Sequence, residues 1–132
     1  MRWKQVLTPV KSITADQARE FIKDKRTEDL ILLDVRQPAE YENSHIPGAK
    51  LIPLPDLSER LDEIDPDKST LVYCAIGGRS RVAAQMLAGK GFNDIYNLSG
   101  GIKAWNGEVA LLGEEKGLDL FSGAAIVTGK DR

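Results

Sequence analysis

A chain of 132 residues, 42% hydrophobic and 29% charged, is long enough to bury one core and has the composition of a soluble globular domain. Its formal net charge of -2, with both signs mixed, leaves no basic face for nucleic acid and no run of like charge long enough to mark an interaction tail. One cysteine excludes an internal disulfide, and one histidine excludes a Cys/His metal cluster.

The first segment, MRWKQVLTPVKSI, begins basic but contains no apolar run of signal-peptide length. No later stretch approaches the roughly 18 apolar residues of a membrane span, so a cytoplasmic protein without membrane contact is expected. After a short extended lead-in, Thr14 with Gln17 three residues on reads as a capping box. Ala18, Phe21 and Ile22 then share one face of a helix that runs through about Asp24. Residues 29–35, DLILLDV, are a continuous apolar run of the kind found in a strand covered on both faces, closing on Asp34 and Arg36. QPAEYENS predicts a short helix with Pro38 in its first turn, and HIPGAKLIPL an extended segment broken by Pro47, Gly48 and Pro53.

Residues 57–64 read as helical, stopped by Pro66. STLVYC, residues 69–74, is the clearest buried strand, and it delivers the lone Cys74 at its carboxyl end. From Arg79 or Ser80 to Lys90, the residues Val82, Ala83, Met86 and Leu87 keep helical spacing until Gly89 and Gly91 close the helix. DIYNLSGG predicts a further strand and turn, and GIKAWNG a last short helix. Strands alternating with helices predict an α/β domain with a mostly parallel sheet and helices on both faces, over residues 1–107. Residues 108–132 change character and are expected to be an extension outside that core.

In such a sheet the ligand crevice lies beyond the carboxyl ends of the strands, which is where Cys74 stands. A free thiol with a pKa of about 8.5 is mostly protonated at neutral pH, so a nucleophilic cysteine needs help. A helix dipole supplies about 1–2 kcal/mol at best. Backbone N–H groups converging on the sulfur supply more, and Gly77 and Gly78 permit the backbone shapes such a nest requires. Arg79 adds a cation beside the loop, and Ser80 is placed to cap the following helix. Each feature alone is more often structural, since cysteines are commonly buried and Gly-Gly marks many ordinary turns. It is their coincidence at the end of a core strand that points to an anion cradle around a thiolate.

Three separated motifs, LLDVR at 32–36, EYENSHIPGA at 40–49 and CAIGGRS at 74–80, followed by LSGGIKAW at 98–105, resemble the rhodanese family of sulfurtransferase domains over roughly residues 10–106. The resemblance implies a rhodanese-like fold with a central, mostly parallel five-stranded sheet. It implies that Cys74 takes a sulfane sulfur from thiosulfate or a persulfide and holds it as its own persulfide. Residues Ala75, Ile76, Gly77, Gly78, Arg79 and Ser80 would form the substrate-binding loop. Asp34, Arg36 and Glu40 correspond to supports of that loop and its neighbouring turns, and His45 to a structural turn rather than a general base. Ser44 stands where the family often has glycine before the histidine. The implied partners are a small sulfur donor and a thiophilic acceptor: cyanide, a thiol such as glutathione, or a protein thiol. No metal or organic cofactor is implied.

Two rival readings remain from the residues. A cysteine phosphatase or arsenate reductase also runs from Cys to Arg at a helix start, but with five intervening residues instead of the four here, Ala75 to Gly78. No acid lies in or directly after this loop to serve a hydrolytic mechanism. The other rival is a non-catalytic, regulatory binding module of the same fold, in which the cysteine is commonly replaced.

Overall fold

The computed structural model describes residues 9–25 and 27–111. Five strands form one sheet: β1 (Val10–Ile13), β2 (Leu30–Asp34), β3 (Lys50–Leu51), β4 (Ser69–Tyr73) and β5 (Ile95–Leu98). Their order across the sheet is β1-β5-β4-β2-β3, and every pairing is parallel. Three of the four connections between strands contain an α-helix, α1 (Ala15–Asp24), α2 (Pro38–Asn43) and α3 (Gly78–Gly89), and 3-10 turns make the fourth, from β3 to β4.

Local chemistry explains the boundaries. The Thr14 hydroxyl accepts from the Gln17 amide at 3.1 Å and the Gln17 side chain accepts from the Thr14 amide at 2.8 Å, the reciprocal box that starts α1. In α2, Pro38 occupies the first turn, where its missing N–H costs nothing, and Glu40 accepts from the Gln37 amide at 2.9 Å. The stretch expected to be helical over 57–64 is instead two short 3-10 turns, Leu54–Glu59 and Leu61–Glu63, because i to i+3 bonds such as Arg60 N–H to Leu57 O close it residue by residue. GIKAWNG likewise gives a 3-10 turn at Ile102–Ala104.

Alternation along the strands divides the core into two layers. Leu33, Val35, Val72, Cys74 and Ile95 face Ala83, Ala84 and Leu87 of α3, with Leu57 and Ile64 beside them. Leu32, Leu71, Tyr73 and Leu98 face the opposite way, onto Ala18 of α1, with Ile46 and Ala49 in the same layer. Helices therefore cover both faces. Cys74 continues the parity of Val72, so its sulfur lies on the α3 side of the sheet.

Ala110 pairs with His45 through two backbone hydrogen bonds of 2.8 and 2.7 Å and is buried. The chain just past residue 107 thus lies against the domain, while residues 112–132 of the expected extension are outside the described residues. Among the described residues no helix is long and apolar enough to cross a membrane.

Candidate active site

The site is built where β4 ends. The parallel crossover into α3 must turn the chain within four residues, and Gly77 makes that turn at φ +118° as the residue that precedes the helix. Any side chain would be strained there. Gly78 differs: it is the first helical residue, its φ is ordinary, and a Cβ on it would meet nothing within 4 Å. Of the two glycines expected to shape the nest, only Gly77 is required for its conformation.

Cys74 is 1% exposed, at the floor of the loop. The Gly77 amide points at its sulfur, with N to Sγ 3.1 Å, and the Ser80 hydroxyl lies 3.4 Å from it. Ser80 is therefore not the cap of α3, as its position before a helical pattern suggested. It sits inside the first turn, donating to the Gly77 carbonyl at 3.2 Å while accepting from the Cys74 thiol. Rotation about one bond turns that hydroxyl proton toward a thiolate. Burial pushes the thiol pKa up, yet the Ser80 hydroxyl and the amides of Ser80, Gly77 and Ile76 outweigh it, so the net shift is downward. The amino end of the 12-residue α3 adds its dipole in the same sense.

Arg79 does not stand free beside the loop. Its guanidinium forks onto Glu40, Nη1 to Oε1 at 2.9 Å and Nη2 to Oε2 at 3.0 Å. Those hydrogen bonds hold the Glu40 carboxyl at about 2, with the Gln37 amide helping and partial burial opposing. Glu40 thus joins the site through Arg79. Asp34 and Arg36 pair with one another instead: Arg36 Nη2 lies 2.8 Å from Asp34 Oδ2, and the same nitrogen donates to the Ser44 carbonyl. Asp34 has the parity of Leu32, on the face opposite the sulfur, so this buried pair braces the turn over residues 36–46. His45 stacks on Tyr41 with ring centroids 3.7 Å apart, and its Nδ1 lies 2.8 Å from the Tyr41 carbonyl. Its ring partner Tyr41 and its neighbour Ile46 pack in the layer on the sheet face opposite Cys74.

A clamp on the loop went unread in the sequence. The Ile102 amide donates to the Cys74 carbonyl at 2.9 Å and the Lys103 amide to the Ala75 carbonyl at 3.1 Å. Gly101 brings them close: at φ +63° a Cβ would lie 2.4 Å from the Ala75 oxygen and 2.6 Å from the Cys74 oxygen. The available signal was the Gly-Gly of LSGGIKAW, the pair that lets one backbone lie against another.

The Rhodanese-like domain family model matches residues 14–108. The chain belongs to the rhodanese-like domain family. YqhL of Bacillus subtilis, itself described as uncharacterized, is 49% identical over 78 residues, a match covering 59% of this chain and 62% of YqhL. The thiosulfate sulfurtransferase GlpE of Pseudomonas syringae is 34% identical over 99 residues, spanning 75% of this chain and 90% of GlpE. Among solved structures, a rhodanese-related protein from Thermoplasma volcanium superposes with a TM-score of 0.68 at 34% identity, covering 76% of this chain and 98% of its own. This rhodanese-like domain therefore shares its fold with that solved relative, its own sheet has five strands, and it carries a cysteine in its loop.

Proposed function

We propose that the protein is a sulfurtransferase that carries a sulfane sulfur on Cys74 from a donor such as thiosulfate or a persulfide to a thiophilic acceptor. The observation that carries this reading is the convergence of the Gly77 amide and the Ser80 hydroxyl on a lone thiol whose pKa is thereby lowered. The similarity to GlpE supports it.

In the first half-reaction the Cys74 thiolate attacks the outer sulfur of thiosulfate. A new S–S bond forms, the sulfur–sulfur bond of the donor breaks, and sulfite leaves with the electron pair. The persulfide keeps one negative charge on its outer sulfur, and the N–H groups of the loop, fixed before the reaction, stabilise that charge. In the second half-reaction an acceptor such as cyanide or a thiolate attacks the outer sulfur and returns Cys74 as thiolate. Nothing in either step requires a general base beyond the lowered thiol, which fits a His45 ring stacked on Tyr41.

Intact-mass measurement tests the reading. Incubation with saturating thiosulfate or an aromatic thiosulfonate is expected to add one sulfur atom that cyanide removes, and Cys74→Ser is expected to add none. An unmodified wild-type mass with both donors overturns it in favour of a binding module.

A further inference from the structure

Building on the sulfurtransferase reading, we propose that Glu40 sets the charge preference of the donor. By occupying Arg79 it neutralises the one cation of the loop, so the protein selects a singly charged donor on an apolar carrier, such as an organic persulfide or thiosulfonate, over dianionic thiosulfate.

Within the loop itself, residues 74–80, Arg79 is the one cation; Arg81 and Lys103 are exposed beside it. Ala75, Ile76, Gly77 and Gly78 are uncharged, and Arg36, 4% exposed, is locked onto Asp34. Arg79 is the loop's own cation at the start of α3, its side chain is 37% exposed, and both of its outer nitrogens are spent on one carboxylate. A forked arginine–carboxylate pair presents almost no net charge to an incoming ion. Thiosulfate brings two negative charges toward a thiolate, and with Arg79 neutralised the loop itself meets them with amide dipoles and the Ser80 hydroxyl. The rim is apolar as well. Ile76, 68% exposed, and Val82, 51% exposed, are the exposed large hydrophobic residues of the described chain, one in the loop and one on the first turns of α3. A donor with one charge and an apolar body suits that surface.

With an organic persulfide the chemistry balances without a further reactant. The Cys74 thiolate attacks the outer sulfur, the donor S–S bond breaks, and the thiolate of the carrier leaves with the electron pair.

Glu40→Gln isolates the effect, because the carboxamide oxygen retains the capping bond from the Gln37 amide while the charge is removed. The experiment compares kcat/KM for thiosulfate and for benzenethiosulfonate, both with cyanide as acceptor, in the wild type, Glu40→Gln and Ile76→Lys. The expected result is a rise of about fivefold to tenfold for thiosulfate in Glu40→Gln, through KM, the size of one recovered charge-assisted hydrogen bond at a half-exposed site. Benzenethiosulfonate is expected to change by less than about twofold, and the thiosulfate gain to shrink as salt is raised. Ile76→Lys is expected to favour thiosulfate in the same direction with Glu40 intact. A ratio of the two donors that is unchanged or lower in Glu40→Gln overturns the proposal while leaving sulfur transfer standing, as does a parallel fall for both donors, the mark of a merely structural role. Absence of turnover with both donors in the wild type overturns the sulfurtransferase reading and this proposal with it.

Discussion

The segments that follow β2 and β4 leave adjacent parallel strands at the same edge of the sheet, with Asp34 opposite Tyr73 in register, yet they use their polar atoms in opposite ways. After β2 the charges satisfy one another. Asp34 accepts from the Arg36 amide, Nε and Nη2, and Arg36 also donates to Ser44. After β4 the Gly77 amide and the Ser80 hydroxyl converge on one sulfur. The segment richer in ionisable side chains pairs them with one another, and the one with a single thiol and two glycines turns its donors toward that thiol. What sets the two segments apart is where their donors point, not the density of charge.

The sharpest way to break this contrast is Asp34→Asn, which leaves a buried guanidinium without a counter-charge. Loss of about 3–5 kcal/mol is expected in urea unfolding, as for other broken buried pairs, while the pH dependence of Cys74 alkylation in the folded protein stays as in the wild type. A shifted alkylation profile would mean that the two segments are electrostatically one site. Next in size is Gly101→Ala. Its backbone, at φ +63° and ψ -163°, is a shape essentially reserved for glycine, and the added methyl overlaps the Ala75 carbonyl. Strain and overpacking each cost of order 1–3 kcal/mol, and persulfide formation is expected to fall together with thermal stability.

Ser80→Ala sharpens the contrast from the other side. Removing the hydroxyl that faces the sulfur raises the thiol pKa. Because thiolate is the reactive form and is lost as pH falls through that value, alkylation at neutral pH is expected to slow by roughly tenfold, the worth of one hydrogen bond to a charged group. Unfolding should change far less than in Asp34→Asn. An unaltered rate–pH curve would assign the lowered thiol to the amides alone. The smallest effect belongs to Gly78→Ala, a helical position with open space around the added methyl. Urea unfolding is expected to show a gain of about 0.5–1 kcal/mol from the stiffer unfolded chain.

How much of this was legible before the structure depends on the range of the interactions involved. β4 was clear because all five of its residues are buried, which is why its sequence shows no polar alternation. The start of α1 was clear because a capping box is written within four residues. Residues 54–63 misled because apolar spacing does not distinguish an α-helix from successive 3-10 turns. Ser80 was assigned to the right element and the wrong task, since a serine near a helix start looks the same whether it caps the backbone or faces a neighbouring sulfur. The Glu40–Arg79 fork joins residues 39 apart, and the clamp of Ile102 on Cys74 joins residues 28 apart; neither leaves a periodic trace in the chain. Only the topology, with β4 between β2 and β5, brings those segments to one loop.

The clamp has a consequence for biosynthesis. Ribosomes release the chain from its amino end, so β1 and the Cys74 segment emerge before β5, the strand that must slot between β1 and β4. Until Gly101 and Ile102 leave the exit tunnel, the carbonyls of Cys74 and Ala75 have no partner from that segment and the central strand has an open edge. The nascent protein therefore passes through an interval in which its thiol is present but its cradle is unfinished.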